Sequence, residues 1–475
     1  MNNIKLKKHQ ILPIDFIKHN FGLILFHSTG SGKTITALTA LYQFPNDIII
    51  IGPKSSKKAF YDEINKLEYN KEKFSFYTYH KIKKLLIEDI DFLSNKSVIL
   101  DEAHHIRNDT RDNIFIANAL TIAFRVLLLT ATPIVNYLND IAPLVNIIKK
   151  SDTLPTEREL FNFFYFDENN LQITNQDLIK DKLNNCISYY EKKDDLDYPK
   201  SNTYYNKIIM NKDQINEYSN YIVKIVFNNE KPINKNVIDA FDINTDFLNN
   251  RMKNSFLTAT RQISNCSIDD SSNSPKILKI VDTIIQHDFP VVVYSNFLKR
   301  GIYPVANLLD KKNISYKMIT GSTNNEKIDS IINNYNRGLF QVLLLSSAGS
   351  ESLDLKNTRQ IHIMEPHWNE SKIRQVIGRA VRYKSHQSLP VKDRNVSIFR
   401  WVSKFPDIYT NISADEYLAD VSIKKDLIFK KFKDIIIESS IENSKKIIKG
   451  GSYHRSFLNN LQKYLINKYD SINNN

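Results

Sequence analysis

The residues of this sequence with the clearest chemical potential form the stretch HSTGSGKT at 27–34. Its two glycines allow a tight turn in which successive backbone N–H groups point towards one anion. In such a loop the lysine would reach the β and γ phosphates of a nucleotide, and the threonine hydroxyl would coordinate Mg²⁺. The sequence therefore predicts a site for ATP and Mg²⁺ that is formed by Thr29, Gly30, Ser31, Gly32, Lys33 and Thr34.

One residue departs from the usual pattern of a phosphate-binding loop. His27 stands where such loops usually carry their first glycine. We expect this change to cost little, provided that the backbone can still turn, because Gly30 and Gly32 remain. The alternative is a tight turn with a solvated lysine, but GLILF before the loop predicts a strand and TITALTALYQF after it predicts a helix. This context favours the nucleotide site.

A metal site on a phosphate-binding loop needs an acidic residue at the end of another strand. The stretch VILDEAHH at 98–105 supplies one, about seventy residues after Lys33. Asp101 could hold Mg²⁺ through water, and Glu102 is the candidate base that orients and deprotonates the attacking water. A DEAH tetrapeptide by itself is more often a solvated loop, but here it follows a buried strand. We interpret His105 as structural.

Short apolar runs followed by polar or glycine-containing turns predict the elements that position these residues. Such runs indicate buried parallel strands, and the helical patterns between them indicate βαβ units. They form two groups, one at 22–26, 47–53, 97–105 and 125–133, the other at 290–297, 315–322, 341–349, 359–366 and 395–402. The expected fold class is α/β, with two doubly wound parallel sheets.

This pattern divides the chain into four segments. We predict an ATP-binding domain at 1–150 and a second sheet domain at 276–410. The segment 151–275 is rich in Asn, Asp, Lys and Tyr, and we predict a mostly helical connector or insertion there. A short helical tail is expected at 411–475, where FKKFKDIIIESS is typical of an amphipathic packing helix.

Composition bounds the partners of the chain. Its 475 residues carry a formal net charge of +13, which favours an anionic partner, nucleic acid first, although an AT-rich genome would also produce many lysines. The two cysteines form no CxxC motif and no Cys/His cluster, so we expect neither disulfides nor structural zinc. No apolar run has the length of a signal-peptide core or a membrane span, so we expect a cytosolic protein without a membrane partner.

Four motifs in a fixed order carry a resemblance to a known family. HSTGSGKT, DEAH, LTATP and QVIGRAVR resemble those of superfamily 2 DExH-box helicases and translocases, over roughly 8–405. IIIIGPKSSKKAFYDEI, TATPIVNYLNDI and EPHWNESKIRQVIGRAVR are similar to the Swi/Snf branch. The continuation RYKSHQSLPVKDRNVSIFRWV resembles helicase-like proteins of large cytoplasmic DNA viruses, including the poxvirus early transcription factor small subunit and nucleoside triphosphate phosphohydrolase I, and of yeast cytoplasmic linear plasmids.

The resemblance implies roles for further residues. Both sheet domains would be RecA-like, and Gln10 would lie beside the adenine. Thr130 and Thr132 would link the ATP state to the nucleic acid, with His104 as their neighbour. From the second domain, a helix face carrying Gln375, Arg379 and Arg382 would approach the γ phosphate, with Arg382 as the first choice of arginine finger. Backbone-tracking contacts to nucleic acid are expected from Lys54 and from Thr320 to Ser322.

The resemblance implies a nucleic-acid-dependent ATPase of the DEAH-box helicase type. We expect translocation on or remodelling of DNA rather than RNA in viral-type transcription, with RNA polymerase or transcription factor subunits as partners and action in the cytoplasm, a virion or a viral factory. Two alternatives stay open. One is a strand-separating DNA or RNA helicase, and the other is a non-enzymatic scaffold that retained the fold, against which the intact ATP motifs argue.

Overall fold

The chain folds into two compact units. The computed structural model describes residues 6–28, 30–107, 110–167, 170–191, 197–225, 236–241, 243, 250–268, 273–347, 353–368 and 370–443. One unit consists of Met1–Lys193 with Asp426–Asn475, and the other of Asp194–Lys425.

The first unit is built on a parallel six-stranded sheet. The strands of this sheet are β1 (Gly22–His27), β2 (Ile48–Ile51), β3 (Phe74–Tyr77), β4 (Ser97–Asp101), β5 (Arg125–Thr130) and β8 (Ile187–Tyr190). A separate antiparallel pair is formed by β6 (Phe166–Asp167) and β7 (Gln172–Ile173). The order in the main sheet is β3-β2-β4-β5-β1-β8. Its helices are α1 (Lys8–His19), α2 (Lys33–Tyr42), α3 (Lys57–Lys66), α4 (Tyr79–Glu88), α5 (Arg111–Thr121), α6 (Ala142–Lys149), α7 (Arg158–Tyr165) and α8 (Gln176–Leu183).

The second unit repeats this plan. Its elements are β9 (Lys200–Ile209), α9 (Lys212–Ile225), α10 (Val237–Ala240), α11 (Asn250–Asn265), α12 (Pro275–Gln286), β10 (Val291–Ser295), α13 (Tyr303–Lys311), β11 (Tyr316–Ile319), α14 (Asn325–Asn336), β12 (Val342–Ser346), β13 (Gln360–Ile363), α15 (Glu370–Ala380), β14 (Asn395–Lys404) and α16 (Ala414–Glu438). The strand order is β11-β12-β10-β13-β14-β9, all parallel. The units divide at two points of the chain, after Lys193 and after Lys425, and the second point falls inside α16.

The apolar runs form the buried strands of both sheets, as the sequence predicts. β2 and the apolar part of β4 are buried on both faces because helices cover the sheet. The pairing of β1 with β5 and of β5 with β4 brings the carboxyl ends of these strands to one edge of the sheet, at His27, Thr130 and Asp101. The fold therefore presents the predicted motifs together in the first unit.

The segment 151–275 contributes strands as well as the expected helices. β8 pairs with β1, and β9 pairs with β14, so each adds an edge strand to one of the two sheets. Most residues of β9 are exposed, and its sequence KSNTYYNKII has no continuous apolar run. An edge strand with little cover needs no apolar face on both sides, so hydrophobic patterning does not reveal it.

The last helix packs as its sequence indicates. Phe432, Ile435 and Ile436 of α16 are buried in the core that the strands and helices of the first unit form. Among the described residues, no helix is both long enough and apolar enough to cross a membrane.

Candidate nucleotide-binding site

The loop between β1 and α2 has the geometry of a phosphate cradle. Gly30 and Gly32 adopt φ angles of 73° and 87°, a left-handed region in which side-chain-bearing residues are strained. Helix α2 begins at Lys33, and the Gly32 carbonyl accepts hydrogen bonds from the backbone N–H and the hydroxyl of Thr36, both at 3.0 Å. The positive end of a helix therefore faces the loop. Thr29 lies outside the described residues.

Lys33 lies within this loop. Its Nζ donates to the carbonyls of His27 at 2.7 Å and Ser28 at 3.2 Å. Burial lowers the pKa of the ammonium group, and the negative charges of Glu102 and Asp101 act in the opposite direction. The lysine is thus close enough to both predicted carboxylates to interact with them electrostatically.

The histidine at the first glycine position is part of a buried polar chain. His27 is the last residue of β1, its φ is not positive, and the loop turns after it. The His27 Nε2 lies 2.8 Å from the Ser188 hydroxyl, which donates to the Glu442 carboxylate at 2.5 Å. Burial, with smaller contributions from Lys33 and His9, lowers the pKa of His27 to about 3. The ring is therefore neutral. A histidine at the position of the usual glycine imposes no backbone strain here.

Helix α1 contacts the loop through two side chains. The Gln10 amide nitrogen donates to the Gly32 carbonyl at 3.3 Å, and a Cβ at Gly32 would lie 2.6 Å from that nitrogen. The Nε2 of His9 lies 2.9 Å from the Ser31 carbonyl, and its ring stacks on Tyr190 at 3.5 Å. Sequence reasoning identified Gln10 but missed His9 and Tyr190, because no motif connects an N-terminal helix with β8.

The predicted metal ligand Asp101 ends β4 beside the turn after β2. A Cβ at Gly52 would lie 3.1 Å from the Asp101 Cβ, so a larger residue there would require the Asp101 side chain to shift slightly. Burial and the charge of Glu102 raise the pKa of Asp101 to about 6. A hydrogen bond from the Ser56 hydroxyl and the charge of Lys33 lower this pKa, but by less. A buried carboxylate and the Thr34 hydroxyl supply hard oxygen ligands. Mg²⁺ typically takes only a few of these, with water and phosphate oxygens completing its shell, so the residues fit this ion.

Glu102 follows in a left-handed conformation, with φ 52° and ψ 50°. Its carboxylate is partly exposed and lies 3.3 Å from the Nδ1 of His104. Burial, with the charges of His105 and Arg107, lowers the pKa of His104 to about 3, so the ring beside this carboxylate is neutral. An accessible carboxylate held in this way can accept a proton from a water molecule.

His104 also joins the DEAH and TATP motifs. Its Nδ1 lies 3.4 Å from the Thr130 hydroxyl, and that hydroxyl accepts a hydrogen bond from the Thr132 backbone N–H at 3.0 Å. The expected neighbours are therefore in contact, although Thr132 takes part through its backbone. The ring of His105 packs on Tyr79 and His104, in keeping with a structural role.

In the second unit, the structure corrects the expected helix face. Gln375 and Arg379 lie in α15, but the helix ends at Ala380 and Arg382 lies in the turn beyond it. The Arg382 backbone N–H donates to the Ser385 hydroxyl at 3.4 Å instead of to a carbonyl of the preceding helical turn. Its guanidinium pairs with the Asp354 carboxylate at 3.2 Å. Helical spacing in the sequence does not reveal this termination.

The candidate nucleic-acid contacts follow strands of their own sheets. Lys54 is exposed directly after β2. In the second unit, Thr320 and Ser322 follow β11, and their hydroxyls are 2.9 Å apart. Hydroxyls and an ammonium group at these positions suit sequence-independent contacts to phosphates.

Comparison with known proteins agrees with this arrangement. The SNF2-related domain family matches residues 71–271, and the helicase conserved C-terminal domain family matches residues 275–384. A protein of Acanthamoeba polyphaga mimivirus named "Putative ATP-dependent RNA helicase" is 53% identical over 445 residues, which cover 94% of this chain and 99% of that protein. The chain belongs to the Swi/Snf-type ATPases of superfamily 2, and it hydrolyses ATP.

More distant relatives assign the chain to the viral members of this family. An African swine fever virus protein named as a termination factor NPH-I homolog is 23% identical, over 89% of this chain and 76% of that protein. The nucleoside triphosphatase I of Heliothis armigera entomopoxvirus is 26% identical, over 91% of this chain and 78% of that protein. The relatives of this Swi/Snf-type ATPase thus include proteins of several viruses.

Proposed function

We propose that this ATPase translocates on duplex DNA during viral-type transcription. The observation that carries the proposal is the phosphate loop, with Lys33 inside it and Asp101 and Glu102 within electrostatic reach. This arrangement suits a hydrolytic motor. A transcription role is supported by the relative named as a termination factor. We expect the protein to act in the cytoplasm of an infected cell, in a virion or in a viral factory, with RNA polymerase or transcription factor subunits as partners.

Each candidate site residue of the first unit has its own role in this proposal. Lys33 exchanges the loop carbonyls for the β and γ phosphates and neutralises their charge, and the backbone N–H groups of residues 29–33 hold the remaining oxygens. Mg²⁺, when bound by Thr34 and Asp101, supplies further neutralisation of phosphate charge. Glu102 orients the attacking water and takes its proton. Gln10, which contacts the Gly32 carbonyl, fixes the loop on the adenine side.

The second unit completes the assignment. We propose that Gln375, Arg379 and Arg382 act on the γ phosphate, as the family motif implies. Arg382 is paired with Asp354, so this role requires the guanidinium to exchange a carboxylate for phosphate oxygens. Such an exchange would couple the state of the nucleotide to the conformation of the second unit.

The nucleic acid is held by its backbone in this proposal. The formal charge of +13 attracts a polyanion, and Lys54 with Thr320 to Ser322 supply contacts that do not depend on sequence. Lys54 is exposed and so is available to a phosphate. DNA is favoured over RNA because the family resemblance lies with DNA translocases.

One second candidate has specific support. The mimivirus relative is named as an RNA helicase, which favours a strand-separating activity on RNA. Strand separation needs a wedge against the fork in addition to a motor. The tail from 411 offers only α16 within the described residues, and the buried side chains of its C-terminal half pack on the first unit. We therefore expect poor separation by the chain alone.

A pair of displacement assays tests the function. With ATP, the purified chain is expected to displace the third strand of a DNA triplex and to open a forked DNA or RNA duplex poorly. Lys33→Ala is the inactive control, because it removes the charge that neutralises the phosphates, and thermal unfolding of the variant checks that its fold is kept. Efficient fork opening by the wild-type chain, absent in Lys33→Ala, would establish the helicase reading instead.

A further inference from the structure

Tyr79 connects a helix outside the family motifs to the backbone of both carboxylate residues. It is the first residue of α4, whose Ile82 and Leu86 are buried in the core. The Tyr79 hydroxyl donates to the carbonyl of Asp101 at 2.7 Å and to the carbonyl of Glu102 at 3.2 Å. A rigid phenol anchored on a packed helix therefore holds the peptide at which β4 ends.

The backbone that Tyr79 contacts is strained. Glu102 has φ 52°, a region that non-glycine residues rarely adopt and that persists only where surrounding contacts compensate the strain. The Glu102 carbonyl also accepts a hydrogen bond from the His105 N–H at 3.0 Å. Two donors thus fix the turn on the carbonyl side of Glu102.

This turn decides where the two carboxylates point. In an extended strand, consecutive side chains point to opposite faces of the sheet, and Asp101 and Glu102 would diverge. Here the Asp101 side chain lies beside Gly52, and the Glu102 carboxylate lies 3.3 Å from the Nδ1 of His104. The left-handed conformation at Glu102 departs from strand geometry, so it sets the direction in which this carboxylate leaves the backbone.

The phenol is suited to act as a permanent donor. Burial raises the pKa of Tyr79 well above its usual range, and the charges of Asp101 and Glu102 raise it further. The hydroxyl is therefore protonated and able to donate at neutral pH. Its ring packs against the core of the first unit, which limits its freedom to leave the two carbonyls.

We propose that Tyr79 is a positioning residue for ATP hydrolysis. Its hydroxyl holds Glu102 in the left-handed conformation and so places the carboxylate for the attacking water. The proposal rests on the role of Glu102 as the base, as set out above. A purely structural role would consist of satisfying the Asp101 carbonyl at the end of a strand, and it would not act through the Glu102 carboxylate.

The test compares Tyr79→Phe, Glu102→Gln and the double variant by ATPase kinetics at saturating DNA. Tyr79→Phe removes only the hydroxyl, and we expect kcat to fall about tenfold with KM for ATP unchanged. Because Tyr79 acts through Glu102, the double variant should be no slower than Glu102→Gln alone in single-turnover measurements. Tyr69→Phe is the matched control, since it removes a hydroxyl bonded to Thr39 in the same unit and should keep kcat.

The outcomes separate the two levels of the argument. Full turnover by Glu102→Gln would refute the base itself. If Glu102→Gln hydrolyses ATP slowly while Tyr79→Phe keeps the kcat of the wild type, only the positioning role is refuted. The positioning role is also refuted if the double variant is slower than Glu102→Gln alone. A rise of KM at constant kcat would assign Tyr79 to binding instead. Thermal unfolding of each variant, with assays run below its transition, keeps a general loss of fold out of these comparisons.

Discussion

Among the described residues, several histidines are buried and held by specific partners. Burial is the main cause that lowers the pKa of His27, His104 and His362 to about 3. His362 has the most complete set of contacts. Its Nε2 lies 3.0 Å from the Gln360 side-chain oxygen, and its Nδ1 accepts from the Trp401 indole N–H at 3.2 Å. The ring therefore carries its proton on Nε2. A second proton, on Nδ1, would point at the Trp401 indole N–H, which is itself a donor.

This arrangement predicts acid sensitivity of the second unit. The unfolded chain protonates His362 near its usual pKa of about 6.5, while the folded chain keeps it neutral down to about 3. Its stabilising contribution is thus complete above pH 6.5 and is lost as the pH falls towards 3. Between pH 7.5 and 5.5 this loss is about 1.4 kcal/mol.

Denaturant titrations of the wild type and of His362→Gln check this expectation. Both tryptophans, Trp368 and Trp401, lie in the second unit, so tryptophan fluorescence follows that unit alone. The free energy of unfolding of the wild type should fall more steeply with acid than that of the non-titrating variant, by the stated amount. Equal pH slopes for the two proteins would contradict the prediction.

At the scale of elements, the edge of the first sheet is closed by the segment after α16. The Ile441 N–H donates to the Ile187 carbonyl of β8, and the Tyr189 N–H donates to the Glu442 carboxylate, both at 2.9 Å. These contacts occupy backbone groups that an open edge would expose. Through Ser188, the same carboxylate reaches His27, whose carbonyl holds Lys33. The tail thus supports the phosphate loop.

Glu442→Ala should therefore affect both stability and nucleotide binding. It leaves the Ser188 hydroxyl and the Tyr189 N–H without their charged acceptor, which costs about 2 kcal/mol in the free energy of unfolding of the first unit. We also expect a higher KM for ATP, because the end of β1 loses its support. Circular dichroism during denaturation and ATPase kinetics measure the two effects.

A neighbouring glutamate provides the control for this variant. Glu438 ends α16 and pairs with Lys180 at 2.6 Å on the surface, and such pairs contribute about 1 kcal/mol or less. Glu438→Ala should thus leave KM unchanged. A Glu442→Ala protein with the kinetics of Glu438→Ala would show that the tail does not support the loop.

At the scale of the whole molecule, the positive charge should make nucleic-acid binding depend on salt. Each neutralised phosphate releases counterions, so the logarithm of the affinity falls linearly with that of the salt concentration, by about 0.9 per phosphate on duplex DNA. Lys54→Ala should lower this slope by about 1 and weaken binding to all sequences alike. Fluorescence anisotropy with unrelated duplexes over a salt series measures both.

A second lysine separates local contact from overall charge. Lys66, at the end of α3, pairs with Glu63 at 2.6 Å on the surface. Lys66→Ala changes the net charge by the same amount as Lys54→Ala, and we expect it to keep the slope of the wild type. If the two variants behave alike, the affinity depends on net charge and Lys54 is not a contact.

The sequence alone determined the elements and motifs whose signals are local. The apolar runs specify buried strands because burial on both faces demands them, and Gly30 and Gly32 specify the loop because its φ angles strain residues with side chains. The order of HSTGSGKT, DEAH, LTATP and QVIGRAVR predicted the family, and the comparisons confirm it. Gln10 contacts the Gly32 carbonyl of the loop, and its role beside adenine stays a prediction.

Tertiary structure alone decided the contacts between segments that are distant in sequence. Glu442 and Ser188 are 254 residues apart, and Ser188 and His27 are 161 apart, so nothing in their local sequences marks them as partners. Tyr79 reaches Glu102 because β2 pairs with both β3 and β4. Since α4 follows β3, this order brings the start of α4 near the end of β4. Local patterns encode backbone conformation and burial, whereas the order of strands, and with it every such partner, is set by packing of the whole unit.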